Sequence, residues 1–227
     1  MKTLLLWDID GTLTLSGGAG MRALEAALRR EFGRDDSLAH IDFAGRTDVW
    51  IMRQIFAHVG LPDNEANLAR FLAGYLAELP AALHNPGNRV LPGVAAALAA
   101  LAAHGSCVQA LLTGNVERGA RIKLGHHNLS HYFGFGAFAD DSERRNELGP
   151  VALRRAKEKH GVEFAPERVF VIGDTPHDIA CGKVIGAQTV AVATGQYSVD
   201  ELRTASPTFV LADLSDTPAL LRALGAV

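Results

Sequence analysis

The sequence predicts an α/β fold, in which a mainly parallel β-sheet carries helices on both faces and an inserted bundle of helices. From Leu91 onward, apolar runs typical of buried strands alternate with segments of helical periodicity, and this alternation indicates βα units. Between residues 16 and 88 the strand pattern is absent and three helical segments follow one another. We therefore predict a core of residues 1–15 and 89–227 and a helical insertion of residues 16–88.

The first predicted strand is the apolar run Leu4–Trp7, which leads directly into Asp8, Asp10 and Gly11. Residues i and i+2 of an extended strand point the same way, so we expect the Asp8 and Asp10 side chains to converge. Two like charges at short distance cannot both stay ionised without a cation or a proton between them. The pair therefore requires a metal ion, a shared proton, or both.

The insertion is predicted to be helical because its apolar residues recur at three- and four-residue spacing, as in Met52, Ile55, Phe56 and Val59. A glycine-rich stretch at residues 16–20 precedes the helices, and a turn at residues 84–88 ends the pattern. The predicted helices span Met21–Phe32, Asp48–Val59 and Asn64–Leu79.

The remaining core elements follow from local patterns of the same two kinds. The Ala-rich run Val94–Ala103 is predicted to be a helix packed on the sheet. Strands are predicted at Val108–Leu112, Phe135–Ala139, Val169–Ile172, Thr189–Val192 and Phe209–Leu211. Helices are predicted at Glu117–Leu124, Leu148–Lys159, Asp178–Ile185 and Pro218–Leu224.

Composition excludes several classes of protein. A net charge of -3 over 227 residues gives no general attraction to nucleic acid or anionic membranes. No stretch reaches the ~18 uninterrupted apolar residues of a membrane span, and the first residues are too few and too soon acidic for a signal peptide. Two isolated cysteines, Cys107 and Cys181, are typical of reduced core thiols. We expect a soluble cytoplasmic protein.

A second group of polar residues follows the predicted strand Val108–Leu112, at the edge where open α/β sheets bind ligands. Thr113 supplies a hydroxyl, and Gly114 lets the backbone approach a ligand closely. Asn115 can cap the next helix, whose first amides favour an anion. An ordinary capped turn is the alternative interpretation.

Carboxylates and arginines complete the set of candidates. A role at the helix N-terminus accounts for Asp178 but not for Asp174, because a carboxylate at the buried end of a strand needs a cation nearby. Arg144 and Arg145 precede the helix that starts near Leu148, and a guanidinium there can bind carboxylates and a phosphate together. A solvated charged turn is the alternative.

These segments together resemble the haloacid dehalogenase superfamily, in particular its phosphatases similar to phosphoglycolate phosphatase, which have a Rossmann-like core and a helical cap. The resemblance covers nearly the whole chain. Asp8–Thr12, Thr113–Asn115 and Gly173–Asp178 match the first, second and fourth motifs, and Phe43–Asp48 resembles the cap loop that faces the active site. The third motif is usually a lysine; Arg145 is our candidate for its role, with Arg144 second.

The resemblance implies a magnesium-dependent phosphatase that acts on a small phosphorylated metabolite, either phosphoglycolate-like or a sugar phosphate. Asp8 would be the nucleophile that forms an aspartyl-phosphate, and Asp10 would protonate the leaving group and then deprotonate water. Mg²⁺ would be bound by Asp8, by the backbone carbonyl of Asp10 and by Asp174. Oxygen-rich ligands favour magnesium over zinc.

The remaining roles are implied by the same resemblance. Thr113, the backbone amides of Gly114 and Asn115, and Arg145 would hold the phosphoryl oxygens, and Asp178 would orient Arg145 or a metal-bound water. In the cap, Arg46 and Thr47 are the candidates for substrate specificity. Arg46 would bind a second anionic group, or would be a surface arginine ahead of a helix for which Thr47 is the N-cap.

Two other functions remain open on the sequence alone. A phosphomutase of the β-phosphoglucomutase type uses the same carboxylates, and only closure of the cap distinguishes it. A regulator that binds a phosphorylated ligand without turnover is the non-enzymatic alternative, but the retained Asp8, Asp10, Thr113 and Asp174 argue against it. We expect a monomer or a homodimer.

Overall fold

The strands form two sheets in the computed structural model, which describes residues 2–225. The larger sheet has the order β5-β4-β1-β6-β7-β8, and all its pairings are parallel. The smaller is an antiparallel ribbon of β2 and β3. The strands are β1 (Thr3–Trp7), β2 (Thr14–Ser16), β3 (Asn88–Val90), β4 (Cys107–Leu112), β5 (Gly136–Ala137), β6 (Val169–Gly173), β7 (Gln188–Val192) and β8 (Phe209–Leu211).

Helices cover both faces of the larger sheet, and three helices form the hydrophobic cluster of the insertion. Those of the insertion are α1 (Ala19–Phe32), α2 (Asp48–Val59) and α3 (Glu65–Ala82). Those of the core are α4 (Val94–Ala103), α5 (Glu117–His126), α6 (Leu148–His160), α7 (Pro176–Val184), α8 (Val199–Thr204) and α9 (Thr217–Ala223). The predicted fold class is confirmed.

Strand β1 lies at the centre of the sheet because its side chains can be buried on both faces. Leu5 and Trp7 pack into the hydrophobic cluster that contains α4 and α5, whereas Leu4 and Leu6 pack into the cluster that contains α6. All four are fully buried. The alternation explains why the sequence shows an unbroken apolar run and no period of two.

The insertion has a hydrophobic cluster of its own. Phe32, Phe56 and Phe71 meet at its centre with ring centroids 5.5 to 5.9 Å apart. The cluster is distinct from those of the sheet, although Val116 and Ala139 of the core also belong to it. The β2–β3 ribbon spans both ends of the insertion. These features support the predicted division at residues 16–88, which stays a prediction.

Five details differ from the sequence-based expectation. The ribbon strands are three residues each, too short to show a period, and α8 was not predicted. Helix α1 begins at Ala19, inside the glycine-rich stretch that was predicted to precede the helices. Helix α3 continues through Pro80, because a proline in the last turn removes only one helical hydrogen bond. The predicted strand at 135–139 is reduced to Gly136–Ala137.

The structure also bears on the predictions about the cysteines and about membrane-spanning segments. Cys107 and Cys181 are both free, and Cys181 is buried. Within residues 2–225, no helix combines the length and the apolar character that a bilayer crossing needs.

Candidate active site

A cavity of about 540 Å³ lies between the carboxyl edge of the parallel sheet and the helices of the insertion. The register aligns Trp7 with Leu111 on β4 and with Ile172 on β6, so the three strands end side by side. The predicted residues that line the cavity are Asp8, Asp10, Gly114, Asn115, Arg145, Asp174 and Arg46. Thr113, Asp178 and Thr47 are buried behind this surface.

Asp8 and Asp10 share the cavity, but strand alternation does not bring them together. Strand β1 ends at Trp7, and the backbone turns at Gly11, whose φ is 80°. As a result the two carboxylates have different partners: Asp8 lies 3.1 Å from a nitrogen of Arg145, and Asp10 lies 2.6 Å from Nζ of Lys123. Both carboxylates thus reach the same cavity, but from a turn beyond the end of the strand and with different cationic partners.

The turn at Gly11 also makes room for Asp174. A Cβ atom at Gly11 would lie 2.6 Å from Cγ of Asp174, so no side chain fits there. Thr12 donates a hydrogen bond from its hydroxyl to Asp174 at 3.2 Å. The first and fourth motifs are thus packed directly against each other.

Asp8, Asp174 and Asp178 form a buried carboxylate cluster in which one oxygen of each lies within 4.8 Å of the others. Burial raises the pKa of Asp8 from 3.8 to about 6, with further contributions from Asp178 and Asp10 that Arg145 opposes. Burial, with further contributions from the carboxylates of Asp178 and Asp8, raises the pKa of Asp174 well above its usual value. A divalent cation would relieve this repulsion, and carboxylate oxygens are the ligands that Mg²⁺ prefers.

Arg145 is the cation that the structure places in this cluster. Its guanidinium contacts both Asp8 and Asp178 and donates to the carbonyl of Gly45 at 3.2 Å. Burial opposes its charge, but Asp178 and Asp8 raise its pKa further. Arg144, the second candidate, has a side chain 76% exposed and pairs with Glu147. Of the two arginines, only Arg145 reaches the cavity.

The loop after β4 differs from the prediction in the role of Asn115. Its side-chain amide donates to Asp10 at 2.9 Å and to the Thr113 hydroxyl at 2.9 Å, so it does not cap α5. Asp48 and Asp140 accept the first amides of this helix, from Val116 and Glu117. Thr113 is fully buried and hydrogen-bonds Asp8, which lowers the pKa of that carboxyl.

Lys123 is a site residue that the sequence reasoning missed. It lies on α5 with a side chain only 7% exposed, and its Nζ is 2.6 Å from Asp10 and 2.6 Å from Asn115. The available signal was its position: in α5 the buried residues are Gly119, Ala120, Lys123 and Leu124. A lysine on the buried face of a helix that begins at the site needs a carboxylate partner.

The cap loop Phe43–Asp48 lies over the ends of the strands. The Asp48 amide donates to the Gly114 carbonyl at 2.7 Å, and the Thr47 hydroxyl donates to the Glu143 carbonyl at 2.7 Å. Gly114 has no room for a side chain, because a Cβ there would lie 2.9 Å from the Arg46 carbonyl carbon. The loop is therefore held against the core by hydrogen bonds to backbone carbonyls.

Arg46 and Thr47 have different environments. Thr47 accepts from the Trp50 amide at 3.2 Å, which confirms it as the N-cap of α2. The Arg46 guanidinium pairs with Asp42 at 3.3 Å and lies 4.5 Å from the centre of the Trp50 ring. Arg46 lines the cavity and keeps 35% of its side chain exposed, so a ligand can reach it.

Comparison with known proteins identifies the relatives of this chain. The family of haloacid dehalogenase-like hydrolases matches residues 5–183. The phosphoglycolate phosphatase of Rhodospirillum rubrum is 31% identical over 209 residues, which cover 86% of this chain and 81% of that protein.

Two solved structures share the fold. One is a predicted phosphoglycolate phosphatase from Haemophilus somnus 129PT, with a TM-score of 0.73 and 19% identity over 96% of this chain and 97% of that one. The other is a putative β-phosphoglucomutase from Bacteroides vulgatus, with a TM-score of 0.71 and 20% identity over 99% of this chain and 89% of that one.

Asp48 should make the unfolding free energy of the protein depend on pH. Burial raises its pKa from 3.8 to about 6, against the opposing effects of Lys123 and the Val116 amide. A raised pKa contributes stability below about pH 4, and that contribution is lost as the pH rises through about 6. In metal-free protein, the Asp48→Asn variant should therefore lose less unfolding free energy between pH 4 and 7 than the wild type, as measured by urea unfolding.

The control for this experiment is Asp140→Asn, which alters the exposed carboxylate at the same helix end. Asp8 and Asp174 titrate in every variant, so the difference between the two variants isolates Asp48. Equal pH dependence in Asp48→Asn and wild type would contradict the assignment.

Proposed function

The chain belongs to the haloacid dehalogenase-like hydrolase family, and on that premise we propose that it is a magnesium-dependent phosphatase that hydrolyses a small phosphomonoester through an aspartyl-phosphate on Asp8. The observation that carries the proposal is the pairing of Asp8 with Arg145 at 3.1 Å inside a carboxylate cluster that lines a cavity. A nucleophilic carboxylate, a phosphate-binding cation and a site for a metal ion are thereby within reach of one ligand.

The residues around Asp8 fit a bound Mg²⁺. Asp8 and Asp174 would hold it together with the Asp10 carbonyl, while Asp178 is already committed to Arg145 and to the Thr175 amide and hydroxyl. When bound, the ion supplies positive charge that lets an anionic carboxylate approach an anionic phosphate.

Asp8 attacks phosphorus, the bond from phosphorus to the leaving oxygen breaks, and Asp10 donates a proton to that oxygen. In the second step Asp10 takes a proton from water, whose oxygen attacks the aspartyl-phosphate and releases Asp8 with inorganic phosphate. Proton transfer of this kind contributes ~10²–10⁴-fold. The partly exposed carboxylate of Asp10 faces the same cavity as Asp8, which supports this division of roles.

The transferring phosphoryl group needs donors for its oxygens. Arg145 and the Gly114 and Asn115 amides would provide them, and the Thr113 hydroxyl hydrogen-bonds Asp8. Asp178 contacts Arg145 and is itself held by the capping box of α7. It therefore positions the guanidinium and does not contact substrate.

The proposed substrate class rests on the name of a relative and on a residue of the cap loop that lines the cavity. The name of the Rhodospirillum rubrum relative supports a phosphoglycolate-like substrate, and Arg46, which lines the cavity, would bind its second anionic group. Thr47 holds the loop that carries Arg46. A β-phosphoglucomutase shares the fold, but fold alone does not transfer activity, and no contact in the described residues favours the mutase over the phosphatase.

The central prediction concerns Asp8. Phosphate release from a panel of phosphoglycolate, sugar phosphates and 4-nitrophenyl phosphate should require Mg²⁺ and should fall on the order of 10⁴-fold or more in Asp8→Asn. The exposed Asp200→Asn is the control and should be unchanged. Turnover retained by Asp8→Asn would exclude the mechanism, and conversion between sugar phosphate isomers without phosphate release would indicate the mutase.

The two adjacent arginines give a matched pair of variants. Arg145→Ala removes a buried donor beside Asp8, so kcat/KM should fall by about 10²–10³-fold. Arg144→Ala removes an exposed side chain of the same type and should leave kcat/KM within about twofold. Both values of kcat/KM are measured by steady-state kinetics on the best substrate of the panel. A larger loss in Arg144→Ala than in Arg145→Ala would assign phosphate binding to Arg144 instead.

Arg46 should affect one class of substrate selectively. Arg46→Ala is expected to raise KM roughly tenfold for a phosphomonoester that carries a carboxylate, which corresponds to about 1.4 kcal/mol of binding energy. KM for 4-nitrophenyl phosphate should change little, because that compound has no second anionic group. Equal effects on the two substrates would make Arg46 a structural residue of the loop.

A further inference from the structure

Lys123 is a buried cation whose contacts are concentrated on Asp10. Only 7% of its side chain is exposed, and Nζ lies 2.6 Å from the Oδ2 atom of Asp10 and 2.6 Å from the Oδ1 atom of Asn115. Asn115 in turn donates to the same Oδ2 atom at 2.9 Å. Three groups thus form a closed triangle in which each member contacts the other two.

The two carboxylate oxygens of Asp10 differ in their hydrogen bonding. Oδ2 accepts two hydrogen bonds, whereas Oδ1 accepts none from any residue that the structure describes. The Asp10 side chain is 39% exposed and lines the cavity. Oδ1 is therefore the oxygen that is available to a leaving group or a water molecule.

We propose that Lys123 is a positioning residue for Asp10, fixing its carboxylate through Oδ2 so that Oδ1 carries out both proton transfers. The inference rests on the proposed phosphatase function, because it assigns to Asp10 the proton transfers of that reaction. Oδ1 gives its proton to the leaving oxygen as the bond from that oxygen to phosphorus breaks. Oδ1 then receives a proton from the attacking water, so the carboxyl group returns to its starting state.

Lys123 takes no part in the proton balance. Burial opposes its charge, but the carboxylates of Asp10 and Asp48 and the nearby Tyr75 raise its pKa above the ordinary value. The ammonium therefore stays charged and acts by geometry and charge. Without it, the Asp10 side chain would keep only the Asn115 contact and could rotate about its χ angles, so fewer molecules would have Oδ1 aligned.

The test compares leaving groups in Lys123→Met, which keeps the length of the apolar stem. For an alkyl phosphomonoester, whose leaving oxygen needs a proton, kcat/KM should fall by about 10²-fold or more. For 4-nitrophenyl phosphate, whose leaving group departs as a stable anion, the fall should be less than about tenfold. The ratio of the two values is independent of how much enzyme is folded, so a loss of stability cannot produce the difference.

A double-mutant cycle identifies the route by which Lys123 acts. In an Asp10→Asn background, adding Lys123→Met should cause no further loss on the alkyl substrate, because the group that Lys123 positions is already disabled. In Lys123→Ala, ethylammonium added to the assay should restore part of the alkyl turnover by entering from the cavity. The exposed Lys157→Ala is the control and should match the wild type.

Several results would contradict the proposed role of Lys123. Equal losses on the two substrates, additive losses with Asp10→Asn, or unchanged kinetics in Lys123→Met would each overturn the positioning role while leaving the phosphatase intact. A wild-type protein that releases phosphate from no substrate would overturn the proposed function and this role with it.

Discussion

The repulsion among buried carboxylates at the carboxyl edge of the sheet is the constraint on which the site depends. Parallel pairing of β1 with β6 brings Asp8 and Asp174 to the same edge, where burial raises the pKa of both. A sheet that only had to be stable would not gather acidic groups there, because buried like charges destabilise the fold. The surrounding structure is arranged to tolerate them: a glycine makes room at Gly11 and a hydroxyl donates from Thr12. The arrangement is the one expected of a site that binds a cation and an anion together.

Two cations of the chain separate two carboxylates that are only two residues apart. Arg145 contacts Asp8 and Lys123 contacts Asp10, so two residues of identical chemistry have different environments. A second residue holds each cation in place: Asp178 accepts a hydrogen bond from Arg145, and Asn115 accepts one from Lys123. Asp8 faces the carboxylate cluster with a guanidinium beside it, as a nucleophile needs. Asp10 faces the cavity with one oxygen engaged and the other available, as a proton donor and acceptor needs.

The sequence was sufficient where a feature depends on a continuous local pattern, and insufficient where it depends on a distant partner. Strand β1 and helix α2 follow from unbroken apolar patterns, and the motifs at the strand ends follow because parallel strands finish at one edge. The capping role of Asn115 was wrongly predicted because two of its partners lie 105 and 8 residues away, where a cap would have been local. Lys123 was missed for the same reason, since a lysine within a helix is usually a solvated side chain. The sequence likewise does not show that Arg144 is exposed beside Glu147 whereas Arg145 is buried beside Asp8.

The cap loop Phe43–Asp48 and the loop that follows β4 are not independent parts. Helix α5 has no capping side chain of its own, and its Val116 amide is satisfied by Asp48 from the insertion. Three further hydrogen bonds join the loop to the core, from Asp48 to Gly114, from Thr47 to Glu143 and from Arg145 to Gly45. At about 0.5–1.5 kcal/mol net for each bond, the four together are worth only a few kcal/mol. Contacts of that strength hold the loop over the site but still permit it to open. Because the same bonds end on Gly114, Val116 and Arg145, any opening of the loop loosens the groups that would bind the phosphoryl oxygens. Admission of substrate and assembly of the catalytic site are therefore expected to be a single event in this protein.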